Sequence, residues 1–307
     1  MNTTYNTTYI ISHWDIDGIA SAALIARSTN ITKTRITKIR LSTISALTTN
    51  LNHALSKSFY IQPFTNLIIS DLNPSPQDME AIVSLLSNAL DMGIKVYWID
   101  HHVWKKEIID ALKSIGVKLY LDPSKVSAEL VKTLIGIDDM TSNTLVQLAR
   151  DDDLFLNRIS YTKKLRRILR WYDWKIRYKV LKYFINGIIW NNMLERLYNQ
   201  ISEEYQALIK KSVDKHLVYT VKGLKIIVVN DIDPRVHPGE VQEEIEKRGL
   251  TADLYVFIYP TATSLRSNRI DVARIAMSLG GGGHPRAAGI PEALDITTIL
   301  NHISRLI

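Results

Sequence analysis

Residues 8–27 read TYIISHWDIDGIASAALIAR, and this stretch decides the fold. Tyr9, Ile10 and Ile11 form an unbroken apolar run, which predicts a strand hidden on both faces. From Gly18 to Arg27 the residues are small or apolar and predict a helix. His13, Asp15 and Asp17 lie between the two. A strand that hands over at once to a helix is the start of a parallel sheet covered by helices.

The same alternation recurs downstream. NLIISDL (66–72), IKVYWID (94–100) and VKLYLD (117–122) predict strands. QDMEAIVSLLSNAL (77–90) and KEIIDALKSIG (106–116) predict helices, with Gly93 and Gly116 as stops. Residues 155–215 carry few turn signals and a helical period throughout, so they predict a helical connector. A second α/β unit follows. LVYTVKGLKIIVV (217–229) predicts a hairpin turning at Lys222-Gly223, and VQEEIEKRG (241–249) a helix. ADLYVFIYPTA (252–262) predicts a strand, and RIDVARIAMSL (269–279) a helix running into GGGGHPRAAG (280–289). The expected architecture is α/β: a parallel-sheet domain over 1–154 with helices on both faces, the connector over 155–215, and a smaller α/β domain over 216–307.

Composition narrows the class. Of 307 residues, 46% are hydrophobic and 22% charged, as in globular proteins. No apolar run reaches the roughly 18 residues a membrane span needs. The start of the chain lacks the basic-then-apolar pattern of a signal peptide. The NTTY doublet at residues 2–5 and 6–9, with sequons at Asn2 and Asn6, therefore carries little weight. Cysteine is absent, which removes disulfides, thiolate metal sites and thiol nucleophiles together. The expected location is the cytoplasm.

Lys plus Arg number 38 against 31 acids, a net charge of +7 that favours polyanionic partners. The excess is local. Between Arg158 and Lys182 ten basic residues face Asp173 alone, with Trp171, Tyr172, Trp174 and Tyr178 interleaved. Two readings stand level: a solvated charged face over an ordinary core stripe, or a surface for a single strand of nucleic acid.

The acids cluster by position. His13, Asp15 and Asp17 follow the first strand; Asp71 ends the second; Asp100, His101 and His102 end the third. In a parallel sheet all these ends lie along one edge, where ligands bind. Any one aspartate there would read as a helix cap or turn former. Four or five carboxylates gathered on one edge would repel one another, and divalent cations would relieve that cost. Oxygen donors with one or two imidazoles suit Mn2+, or Mg2+, ahead of Zn2+. The donors exceed one ion's needs, which points to two ions sharing a carboxylate.

Asp-x-Asp-Gly at 15–18, Ser70-Asp71 and Asp100-His101-His102 resemble the DHH family of phosphoesterases. Gly280 to Gly289 resembles the glycine-rich signature of its companion DHHA1 domain. The resemblance spans Ile11 to Gly289, the connector alone lacking a signature. It implies that Asp15 holds one ion, Asp17 the other, and Asp71 bridges them. His101 would be a ligand. Asp100 would orient the imidazole next to it, and His102 would face the scissile phosphate. The family's fourth motif is an aspartate at the domain's end. Asp151 fits best, followed by Asp152 and then Asp153, with Asp122 a weaker option. The resemblance also implies that Arg266, Gly282, Gly283, His284 and Arg286 bind substrate. Glycine-rich amides are expected there at a helix start, an anion site. Members acting on very short oligonucleotides have a histidine four residues before the first aspartate. Here that position is Ile11, and His13 stands two before. Residues two apart on a strand share a face, so His13 remains a candidate ligand, and the spacing leans toward the RecJ-like and archaeal branches.

The expected activity is hydrolysis of phosphodiester bonds in single-stranded nucleic acid or short oligonucleotides to mononucleotides, by water activated between two cations. A hinged closure of the two domains around the strand end is expected, and a homodimer is compatible. The alternatives are a small-molecule or cyclic-dinucleotide phosphohydrolase on the same scaffold, and an inactive scaffold of the replication machinery.

Overall fold

The apolar run of the opening stretch becomes a strand with a buried middle. In β1 (Thr7–His13), Tyr9, Ile10 and Ile11 are all 0% exposed. The computed structural model describes residues 7–32, 35–58 and 63–306; Asn2 and Asn6 lie outside the described residues. β1 is flanked by β2 (Arg35–Ser42) and β3 (Asn66–Ser70), and β4 (Lys95–Asp100) and β5 (Lys118–Leu121) follow. The order is β2-β1-β3-β4-β5, and every pairing is parallel. β2 is the one strand of this sheet without a sequence expectation. Its basic residues, of which Arg35 and Lys38 are exposed, interrupt the apolar run, as suits an edge.

Alternate residues of each strand face opposite ways. Tyr9, Ile11, Leu67, Ile69, Val96 and Trp98 share a core with α2 (Leu47–His53), α3 (Met79–Asp91) and α4 (Lys106–Ser114). The intervening residues, Ile10 among them, face α1 (Ile16–Thr32), which packs on α5 (Ser127–Ile135) and α6 (Met140–Asp153). α1 and α2 thus leave the sheet toward opposite faces. The order reverses beside β1, which is where an open α/β sheet forms its crevice.

Two compact units result, 1–192 and 193–307. Two helices of the predicted connector, α7 (Thr162–Trp171) and α8 (Trp174–Ile185), belong to the first. The third, α9 (Asn192–Asp214), runs with the second.

The second unit is a mixed six-stranded sheet in the order β10-β11-β9-β8-β7-β6. β6 (Leu217–Val221) and β7 (Leu224–Val229) form the expected hairpin. Lys222 and Gly223 turn it with φ of 47° and 79°, both left-handed, which matches the twist of the strands. α10 (Pro238–Lys247) leads to β8 (Leu254–Ile258) and β9 (Thr263–Arg266). α11 (Val272–Ser278), β10 (Gly282–His284), β11 (Ala287–Ile290) and α12 (Ile296–Leu306) complete the unit. Its own core joins Ile226, Val228, Leu254 and Val256 to Ile275, Ile299 and Ile303. No described helix is long and apolar enough to cross a membrane.

Candidate metal centre

Gly18 shows why the first motif ends as it does. A Cβ there would stand 2.4 Å from the His13 carbonyl oxygen, so only glycine lets α1 start this close to β1. The Gly18 N–H donates to Asp15 Oδ1 at 3.0 Å, and His13 Nδ1 lies 2.8 Å from Asp15 Oδ2. Asp17, in the first turn of α1, is buried. Its Oδ2 and Oδ1 accept the Ser127 and Ala128 N–H groups, both at 2.8 Å, from the first turn of α5. The Ser127 hydroxyl donates to Asp71 Oδ1 at 3.1 Å.

His101 is the hub. Its Nε2 lies 3.4 Å from Asp71 Oδ1 and 3.7 Å from Asp17 Oδ2, and its Nδ1 lies 3.8 Å from Asp153 Oδ2. Asp71 Oδ2 is buried and accepts no hydrogen bond among the described residues; His13 Nδ1 is 3.9 Å from it. Asp71 also belongs to two donor groups at once. One is His13, Asp15 and Asp71; the other is Asp71, Asp100, His101 and His102; within each, the ligand atoms all lie within 4.8 Å of one another.

Charge crowding is visible in the acids. Burial, opposed by His101 and reinforced by Asp153 and Asp15, pushes the Asp17 carboxyl up to about 7. Burial, then Asp17 and Asp15, push Asp71 well above the usual carboxylate range. Burial would raise Asp15 too, but its contact with His13 outweighs that effect and holds it below the usual range. A buried carboxylate oxygen set among acids and imidazoles fits a divalent cation, or, without one, a proton shared with Asp15.

Three expectations change. Asp100 is expected to hold the adjacent His101. It holds His102 instead, Oδ1 to Nδ1 at 2.8 Å, while Oδ2 accepts the Trp104 indole N–H at 2.6 Å. Against the opposing effect of burial, Asp100 raises His102 to about 8. Asp151 is not brought to the cluster. Its oxygens accept the Arg158 and Ile159 N–H groups at 2.8 and 3.2 Å, closing the turn after α6. Asp152 pairs with Arg166 at 2.5 Å, which leaves Asp153 as the member facing His101. The glycine run does not start a helix. It follows α11 and enters the β10–β11 hairpin, whose amides serve the ladder. Ser127 and Trp104, which fix Asp17 and Asp100, carry no sequence expectation; an indole four residues past Asp100 is no recognisable signal without coordinates.

In the second unit, Arg266 and His284 both stand opposite Ala287, so they share one face of three adjoining strands. Gly282 and Gly283 lie in β10, and Arg286 lies exposed in the turn between β10 and β11.

No family model and no curated protein matches the chain. Solved structures do. The DHH domain of a protein assigned to a family of ribosomal proteins superposes with a TM-score of 0.64 at 15% identity, covering 98% of this chain and 86% of that one. The exonuclease RecJ bound to manganese gives 0.56 at 14%, covering 98% and 89%. A pGpG-specific phosphodiesterase from Vibrio cholerae gives 0.52 at 10%, covering 97% and 98%. A reversed strand order beside β1, acids gathered at its carboxyl edge, and likeness along nearly the whole chain agree: this protein has the DHH/DHHA1 phosphoesterase fold.

Proposed function

We propose that the chain is a metal-dependent phosphodiesterase that shortens single-stranded nucleic acid or short oligonucleotides to mononucleotides, with two Mn2+ ions, or Mg2+, as cofactor. One observation carries the reading: buried Asp71 belongs to two donor groups at once, one with His13 and Asp15 and one containing His101. His13 and Asp15 would hold one ion with Asp71; His101, with Asp17 and Asp153 that lie 3.7 and 3.8 Å from its ring nitrogens, would hold the other. Asp153 takes the place first given to Asp151 because its Oδ2 faces His101 Nδ1 at 3.8 Å. The ions, when bound, supply the charge that makes a water nucleophilic near neutrality and screens the phosphoryl oxygens.

The protein's own groups do the rest. Asp100, clamped by Trp104, holds His102 through Nδ1, which leaves Nε2 as the donor to a phosphoryl oxygen. Ser127 fixes Asp71, and the α5 amides fix Asp17, so the acids cannot swing apart as substrate arrives. In the second unit Arg266, His284 and Arg286 supply charge for a substrate phosphate, and Gly282 and Gly283 keep that surface free of side chains. The likeness to RecJ and to a phosphodiesterase supports this class of substrate.

The deciding experiment is titration of the metal-free protein with Mn2+ by calorimetry, followed by the product ladder from DNA and RNA strands labelled at either end. Binding of two ions and stepwise loss of mononucleotides are expected. Absence of Mn2+ binding, or of any product with Mn2+ present, would refute the proposal.

A further inference from the structure

The basic run splits when the chain folds. Arg166 and Arg167 of α7 turn inward, 3% and 5% exposed. Arg166 bonds Asp152 and Asn157 and lies over the Phe155 ring. Those cations are internal structure. α8 is different. Its sequence WKIRYKVLKYFI contains no acid, and Trp174, Lys175, Tyr178, Lys179 and Lys182 are all exposed. Spaced at 0, 1, 4, 5 and 8, they share one face of the helix, opposite Val180 and Phe184.

That face is tied to the candidate centre. The Arg177 guanidinium lies 4.1 Å from the centroid of the Trp14 ring and 4.6 Å from that of Trp174. Its Nε donates to the Leu169 carbonyl at 2.9 Å, so the contact is held from both ends. Trp14 is the residue between His13 and Asp15, and its ring is 5.4 Å from that of His13. The Tyr178 hydroxyl accepts the Leu41 N–H at 3.0 Å, which fixes α8 against the carboxyl end of the edge strand β2. An unbroken path of Trp14, Arg177 and Trp174 therefore leads from the acids to an open ring, 39% exposed, flanked by lysines.

We infer that this path is a stacking ledge for a nucleobase. Resting on the proposed function, the inference specifies its substrate class as one with a base and backbone phosphates next to the bond cut. The Trp174 ring offers a π-face that any base can stack on, and Lys175, Lys179 and Lys182 track the phosphates. Arg177 backs the ring as a cation–π partner and keeps it from folding away. A merely solvated lysine face would attract phosphate but would not distinguish a base from its absence.

The test compares pentathymidylate with the same strand carrying abasic units, by fluorescence anisotropy in EDTA, where no turnover occurs. Wild type is expected to bind the base-bearing strand about tenfold more tightly. Trp174→Ala should bring that ratio to near one, and Trp174→Phe should restore most of it. Unchanged discrimination in Trp174→Ala, or none in wild type, would overturn the ledge. Hydrolysis of bis(p-nitrophenyl) phosphate by wild type with Mn2+ is run beside it. Its failure counts against the phosphodiesterase reading, while the anisotropy ratio still decides the ledge.

Discussion

Asp71 holds a left-handed backbone conformation, φ 56°, and a carboxyl whose pKa is raised by burial and then by Asp17 and Asp15. Such a group stabilises the folded state only where it is protonated, below its unfolded value near 4. That stability is lost as pH rises through the higher folded value. Asn accepts the same conformation and can still take the Ser127 hydroxyl. In metal-free protein, Asp71→Asn should raise stability at pH 8, with the gain fading as pH falls. The same change should abolish stabilisation by Mn2+. Thermal unfolding with and without EDTA, at pH 8 and in acid, checks each half. The residues that make this site legible are those at strand ends, because a parallel sheet aligns its ends whatever the helices do. Asp153 is not legible. It shares the last turn of α6 with Asp151 and Asp152, and about 100° of helix rotation per residue separates a loop anchor, an ion-pair partner and a cluster acid. No sequence pattern reads that phase at a helix end.

The glycines of the β10–β11 hairpin do steric work. A Cβ on Gly281 would stand 2.1 Å from the Gly289 carbonyl oxygen, and Gly283 has φ of +136° with the Ala287 carbonyl oxygen 2.6 Å from where its Cβ would lie. Gly289 would meet nothing within 4 Å. Gly281→Ala should therefore cost about 3 kcal/mol, while Gly289→Ala should be neutral or stabilise by about 0.5 kcal/mol, read by denaturant midpoints. Asp139 caps α6, accepting the Ser142 N–H at 2.6 Å while the Ser142 hydroxyl lies 2.9 Å from the Asp139 nitrogen; Asp139→Ala should cost about 1 kcal/mol by the same measurement. The sequence signals for helices are sound, but the basic run shows their limit. α7 and α8 carry similar charges, and tertiary partners such as Asp152 for Arg166 decide which cations are buried.

Each unit owns a core, and among the described residues that of 193–307 is built from its own side chains. A fragment spanning 193–307 should fold alone and unfold cooperatively, seen as a sigmoidal loss of circular dichroism with urea. The alternation of strands and helices is readable over most of the chain, with β2 and the β10–β11 hairpin the exceptions. Where the first unit ends is not, because long-range contacts set it. Arg27 of α1 donates to the Ile185 carbonyl at 3.1 Å and to Asp139 at 2.7 Å, drawing α8 to the first sheet.

The strand order has a kinetic corollary. With β1 seated between β2 and β3, the candidate ligand atoms of His13, Asp15, Asp17, Asp71, His101 and Asp153 meet only after the crossovers of the first sheet have closed. Distant segments of this kind come together late along a folding route. An ion captured there should leave the refolding rate nearly untouched and act almost wholly by retarding unfolding. Stopped-flow chevrons recorded with Mn2+ and with EDTA should then share a refolding limb and diverge on the other.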